Sequence, residues 1–129
     1  MKSFYFSKKT DLTFEEALVK TTEELKKEGF GVLTEIDIKE TLKKKLDVDF
    51  QKYKILGACN PQFAYKALMA ADKIGILLPC NVIVQELEDG KVEVSAVDPE
   101  SSMEMIENEE LSGLAKQIKE KLNKVINKI

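Results

Sequence analysis

The C-terminal residues set the condition that any fold of this chain has to meet. Leu111, Leu114, Ala115, Ile118, Leu122, Val125, Ile126 and Ile129 recur at helical spacing, and the opposite face is mostly lysine. A helix so long and so one-sided needs an apolar surface to lie on, and several segments read as strands that could provide one. Residues 53–59 form an apolar run of strand length, as do residues 76–87. Residues 91–97 alternate, with Val92, Val94 and Ala96 directed to one side. Glu88-Asp89-Gly90 between the last two is a hairpin turn.

The N-terminal half repeats the alternation of strand and helix. Phe4-Tyr5-Phe6 is a short aromatic strand that ends in the polar stretch Ser7 to Asp11. Thr13 then opens a helix with Glu16 as its capping-box partner and Leu12 as a staple against Ala17. Phe14, Ala17, Leu18 and Leu25 form the stripe of that helix, and Gly29 supplies the left-handed residue that ends it. Residues 31–36 read as a strand with Val32, Thr34 and Ile36 on one face and Leu33 and Glu35 on the other. Asp37 caps a short helix over residues 38–46. Asn60-Pro61 caps another, expected to reach about Lys73, and Asp98-Pro99 ends the sheet. An acidic segment with room for one helical turn leads into the last helix. The order is β-α-β-α-β-α-β-β-α: an α+β domain of two layers, spanning residues 1–129, with about five strands in a mixed sheet and helices on one face.

Composition removes several chemistries. The chain has no histidine or tryptophan, and all 20 of its basic residues are lysine. Imidazole bases, Ser-His-Asp and Cys-His pairs and histidine metal ligands are therefore absent, and phosphoryl transfer lacks the guanidinium clamp it commonly uses. A net charge of −3 argues against binding by neutralisation of nucleic-acid phosphates, and Lys43-Lys44-Lys45 reads as the solvated side of a helix. No apolar stretch approaches the ~20 residues of a membrane span. Met1-Lys2-Ser3-Phe4 opens without the apolar core of a signal peptide, so a cytoplasmic protein with reduced thiols is expected.

The remaining chemistry centres on two cysteines. Ile55-Leu56-Gly57-Ala58-Cys59-Asn60 and Ile76-Leu77-Leu78-Pro79-Cys80-Asn81 agree at Ile, Leu, Cys and Asn. A helix of about thirteen residues travels ~20 Å, close to the ~20 Å of the strand before it. That match returns the chain to the start of strand 53–59, and a right-handed crossover would set strand 76–87 parallel to it with both cysteines at one end of the sheet. Cys59 also precedes a helix, whose positive end favours a thiolate. Against this stands plain packing, since cysteine is commonly a small buried hydrophobe. Two cysteines do not complete a tetrahedral metal site, and Glu35 and Asp37 are candidates to add oxygen ligands or a general base, although capping and solvation account for both.

These motifs resemble the bacterial and archaeal family known as domain of unknown function 302. Glu28-Gly29-Phe30, Glu35-Ile36-Asp37, Leu56-Gly57-Ala58-Cys59-Asn60-Pro61 with Ala64, Leu77-Leu78-Pro79-Cys80 and Val97-Asp98-Pro99 carry the resemblance. It implies an α+β fold and homodimers, with no agreed activity or cofactor, and it places Cys59, Asn60, Pro61, Pro79 and Cys80 in the family pattern. The leading reading is a small binding domain. Its pocket would be lined by Cys59, Asn60, Cys80 and Asn81, with Glu35 and Asp37 as further candidates, for a small molecule or a thiophilic metal held by Cys59 and Cys80. A thiol redox enzyme or sensor, with Cys59 attacking and Cys80 resolving, is the alternative. The third is a homodimeric interaction module, joined through the aromatic strand or the last helix. None of the three involves nucleic acid or a membrane.

Overall fold

The computed structural model describes residues 3–129. The expectation about a leader segment rests partly on Met1 and Lys2, which lie outside the described residues. Five strands, β1 (Tyr5–Thr10), β2 (Gly31–Asp37), β3 (Tyr53–Cys59), β4 (Cys80–Glu86) and β5 (Val92–Val97), form one sheet in the order β1-β5-β4-β3-β2. All four pairings are antiparallel, so the expected α+β architecture is present but the sheet is not mixed. The helices are α1 (Phe14–Lys27), α2 (Ile38–Leu46), α3 (Pro61–Ala70), the short α4 (Pro99–Ser102) and α5 (Glu109–Asn127).

Local rules account for most of these boundaries. Thr13 accepts from the Glu16 N–H while the Glu16 side chain accepts from the Thr13 N–H, the reciprocal capping box. Gly29 has φ 86° just beyond α1, and Gly90 has φ 84° in the turn between β4 and β5, conformations that side chains with a Cβ rarely adopt. Asp37 caps α2 by accepting from the Glu40 N–H at 2.9 Å. β1 runs on through residues read as a polar stop, because Ser7 to Thr10 pair with Ser95 to Val92. Registration with β5 outweighs their polarity at this sheet edge.

α1 and α5 cover one face. Their residues Phe14, Ala17, Leu25, Ile118, Leu122, Val125 and Ile126 meet Leu56, Ala58, Val82, Val84, Val92, Val94 and Ala96 of the strands in one buried core. Lys8 extends the same arrangement by donating to the Asn127 carbonyl at 2.9 Å, where the negative end of the α5 dipole favours a cation. The opposite face carries the exposed Tyr5, Ile36 and Asn81.

Two expectations change, and both changes shape the site. Residues 72–77 form a 3₁₀ turn rather than the start of a strand, Leu78–Pro79 is a cis peptide, and β4 begins only at Cys80. The chain leaves β3 through α3 and returns through the 3₁₀ turn to the same end of the sheet, so β4 runs antiparallel to β3. No crossover to the far end takes place. α3 packs on α5 and on the 3₁₀ turn.

In β2, a bulge between Val32 and Thr34 places Val32 opposite Ala58 and Thr34 opposite Gly57. Val32 therefore shares the helix-covered face, whereas Thr34 and Ile36 fall on the other. The strict alternation read from the sequence fails because one extra residue, Leu33, sits between paired positions. Gly57 belongs to this junction: a Cβ there would overlap Thr34 Oγ1 and press on the Pro79 ring at 3.0 Å.

Candidate functional site

Cys59 ends β3 and Cys80 begins β4, on neighbouring strands. Ala58 is the register partner of Cys80, so the two cysteines are diagonal neighbours at one sheet end. The parallel crossover from which their proximity was expected is absent; both residues lie at the same sheet end because in an antiparallel pair the end of one strand meets the beginning of the next. Both are free thiols and neither is fully exposed. Burial pushes the Cys80 thiol up to about 11, and the nearby Cys59 adds a smaller upward effect. Cys80 is thus a neutral, apolar-packed thiol at physiological pH.

Asn60 occupies the N-cap position of α3, but its side chain makes no cap hydrogen bond. Its Nδ2 instead donates to the Glu28 carbonyl at 3.4 Å, a long bond that ties the start of α3 to the end of α1. The expectation that Asn60 caps the helix through its side chain is corrected by this tertiary contact. Pro61 follows at the first helical position, where a missing N–H costs nothing.

The remaining candidates lie elsewhere. Asn81 pairs with Gly57 and sits on the uncovered face among Tyr5, Tyr53, Ile83 and Ser95. Glu35 is opposite Leu56 and Asp37 opposite Lys54. They are three and five positions along β3 from Cys59, about 10 and 17 Å at ~3.4 Å per residue. Asp37 is committed to capping α2. Among the described residues there is no group of three or more Cys, Asp or Glu side chains placed to hold a metal ion.

What the fold builds beside the cysteines is a cavity of about 320 Å³. It lies among α3, α5 and the sheet end, between the main core and a second cluster formed by Ala67, Ile74 and Leu111. Cys59, Asn60, Pro79 and Cys80 form the wall at the sheet end, Phe63 and Ala67 the α3 wall, and Leu114 and Ile118 the α5 wall. Leu33, displaced by the bulge, and Leu68 line it while remaining 68% and 42% exposed, which marks the mouth. Pro99 and Met103 close another side. Their segment is held by Asp98, which accepts from the Glu100 N–H at 3.0 Å and pairs with Lys119 of α5 at 3.1 Å. Hydrogen bonding to Asp98 holds the Lys119 ammonium above its ordinary range.

Cys59, Asn60 and Cys80 were candidates from the sequence, whereas the lining residues of α3 and α5 were not. A signal was present in α3, whose sequence PQFAYKALMA holds Gln62, Tyr65 and Lys66 as its only side chains with a polar group. A helix that is apolar on more than one side has more than one apolar surface to meet.

The architecture is that of an antiparallel α+β protein with an apolar cavity at the sheet end. The sequence matches the family described as "Domain of unknown function DUF302" over residues 6–129, nearly the whole chain. This chain belongs to the DUF302 family. It is also similar to an uncharacterized conserved DUF302 protein from Bacillus stearothermophilus solved by crystallography, with 28% identity, 98% of each chain covered and a TM-score of 0.92. No curated protein matches. Among the described residues no helix is long and apolar enough to cross a membrane.

Proposed function

We propose that this chain is a single-domain small-molecule-binding protein whose site is the cavity bounded by Cys59, Asn60 and Cys80. The observation that carries this reading is the cavity itself. It is an apolar-walled cleft, and its volume of about 320 Å³ falls at the lower end of the ~300–1,000 Å³ usual for ligand sites. Cys59, Asn60, Pro79 and Cys80, which the family resemblance implies belong to its pattern, form one wall of it. The cysteines serve as soft contacts with the ligand, and their reduced state fits a cytoplasmic setting.

The thiol redox alternative receives less support. A resolving cysteine must ionise, and burial holds Cys80 at about 11. A thiophilic metal would have only two sulfur ligands there, too few for a tetrahedral site. The binding reading is tested by extracting purified protein with organic solvent and comparing small molecules recovered from wild type and Ala67→Phe. A compound present in stoichiometric amount and lost in the variant supports the site. Thermal stability that no compound in a broad library raises, together with empty extracts, counts against it.

A second reading concerns partners and draws on a separate feature. Phe4 and Tyr5 stack edge to face at 5.1 Å on the open side of the sheet, and Tyr5 and Ile36 remain 47% and 45% exposed there. Such a face suits a second copy, giving the homodimer that the family resemblance implies. The α5 stripe is unavailable for this, being committed to the core of its own chain. Sedimentation of wild type and Tyr5→Glu at micromolar concentration decides: a dimer that the variant dissociates supports the interface, and a wild-type monomer removes it.

A further inference from the structure

The composition of the cavity wall specifies the chemistry of an occupant. Nineteen of the described residues line the cavity, none of these charged, and among them Asn60 alone carries a side-chain amide. An ion moved into such surroundings loses hydration without gaining an oppositely charged side chain, a costly exchange in a protein. The Asn60 amide gives one Nδ2 N–H to the Glu28 carbonyl, which leaves its second N–H and its Oδ1 acceptor for a polar group of the occupant. Size sets a second limit, because a cavity of ~150 Å³ accepts one benzene ring. The roughly 320 Å³ here scales to about a dozen non-hydrogen atoms.

We propose that the cavity takes an uncharged, predominantly hydrocarbon molecule of about a dozen non-hydrogen atoms, entering between Leu33 and Leu68 and turning its one polar group toward Asn60. The proposal rests on the reading of this cavity as a ligand site. Its wall favours an acyl or aromatic body over a phosphate, a carboxylate or an ammonium group. One feature acts in the other direction: α3 begins at this wall, and its positive end favours a negative group. A carboxylate probe therefore belongs in the test.

The test is calorimetric titration near neutral pH of three probes with a common ring system: 1-naphthol, 1-naphthoate and 1-naphthylmethylammonium. The expected result is that 1-naphthol binds with at least about tenfold lower Kd than either ion. Its binding is expected to weaken in Ala67→Phe, which fills the cavity, and in Leu68→Trp, which narrows the exposed mouth without altering the core. Circular dichroism establishes that both variants are folded, and Leu68→Trp alone decides if Ala67→Phe is not. An ion that binds as tightly as the neutral probe and is weakened by the same variants overturns the ligand class while leaving the cavity as the site. Binding of 1-naphthol that neither variant weakens, or no binding of any probe to wild type, overturns both.

Discussion

Raising the pH through 9 to 11 ionises the Cys80 thiol in the unfolded chain before it does so in the folded one, and stability should fall over that interval. Burial lifts the folded thiol from 9.0 to about 11. Below pH 9 both states hold the proton and the thiol contributes no pH dependence. Between 9 and 11 the folded state keeps a proton that the unfolded state has lost, so unfolding is increasingly favoured as pH rises. Each pH unit in that window costs about 1.4 kcal/mol, giving about 3 kcal/mol across the whole of it. Lysines and tyrosines titrate in the same range, and Cys80→Ala provides the reference that cancels them. Urea unfolding of both proteins from neutral pH to about pH 10.5 should show wild type losing ~2 kcal/mol relative to the variant. Parallel stability curves would refute the assignment of Cys80 as a desolvated neutral thiol. So would alkylation of Cys80 in the native protein at the rate of an unfolded thiol near pH 7, where the folded thiol should hold ~100-fold less thiolate.

Three further perturbations probe the framework around the site. Gly57→Ala places a Cβ against Thr34 Oγ1 and the Pro79 ring and should destabilise by about 1–3 kcal/mol in chemical denaturation; an unchanged midpoint would mean that β2 and Pro79 yield freely. Gly29→Ala forces a Cβ into φ 86° and toward Asn60 Nδ2 at 3.1 Å, with an expected loss of about 1–2 kcal/mol and a lower melting temperature. Leu122→Ala removes a side chain that is fully buried between α5 and the sheet and should cost ~3–5 kcal/mol. A loss under about 1 kcal/mol would show that the α5 stripe is not seated on the strands as described.

Much of the framework was legible because it depends on residues close in sequence. The Thr13 and Glu16 box, the left-handed Gly29, the Asp37 cap and the boundaries of β3 and α2 are local events decided within a turn or two of chain. The α5 stripe was equally readable, since helical periodicity shows which side must be buried. Sheet polarity was not legible in the same way. The length of helix and strand between Cys59 and Cys80 suited a parallel crossover, but residues 72–77 turn back as a 3₁₀ segment and reverse the result.

The bulge at Leu33 illustrates the limit of alternation as a guide to faces. Val32 and Thr34 look equivalent in sequence, yet their partners Ala58 and Gly57 lie on opposite sides of the sheet. That displacement carries Leu33 to the cavity mouth, a position for which it has no local signature.

The pair of cysteines shows both sources of information in one place. Sequence alone determined that Cys59 closes a strand ahead of a helix and that Cys80 follows a proline within apolar surroundings, because those are properties of neighbouring residues. Only the tertiary structure decided that they lie at one end of an antiparallel pair, that Asn60 turns from its helix to Glu28, and that α3, α5 and the sheet end enclose a cavity. Pairing, packing and empty space are relations between segments distant along the chain, and their energies depend on how the elements dock rather than on any local pattern.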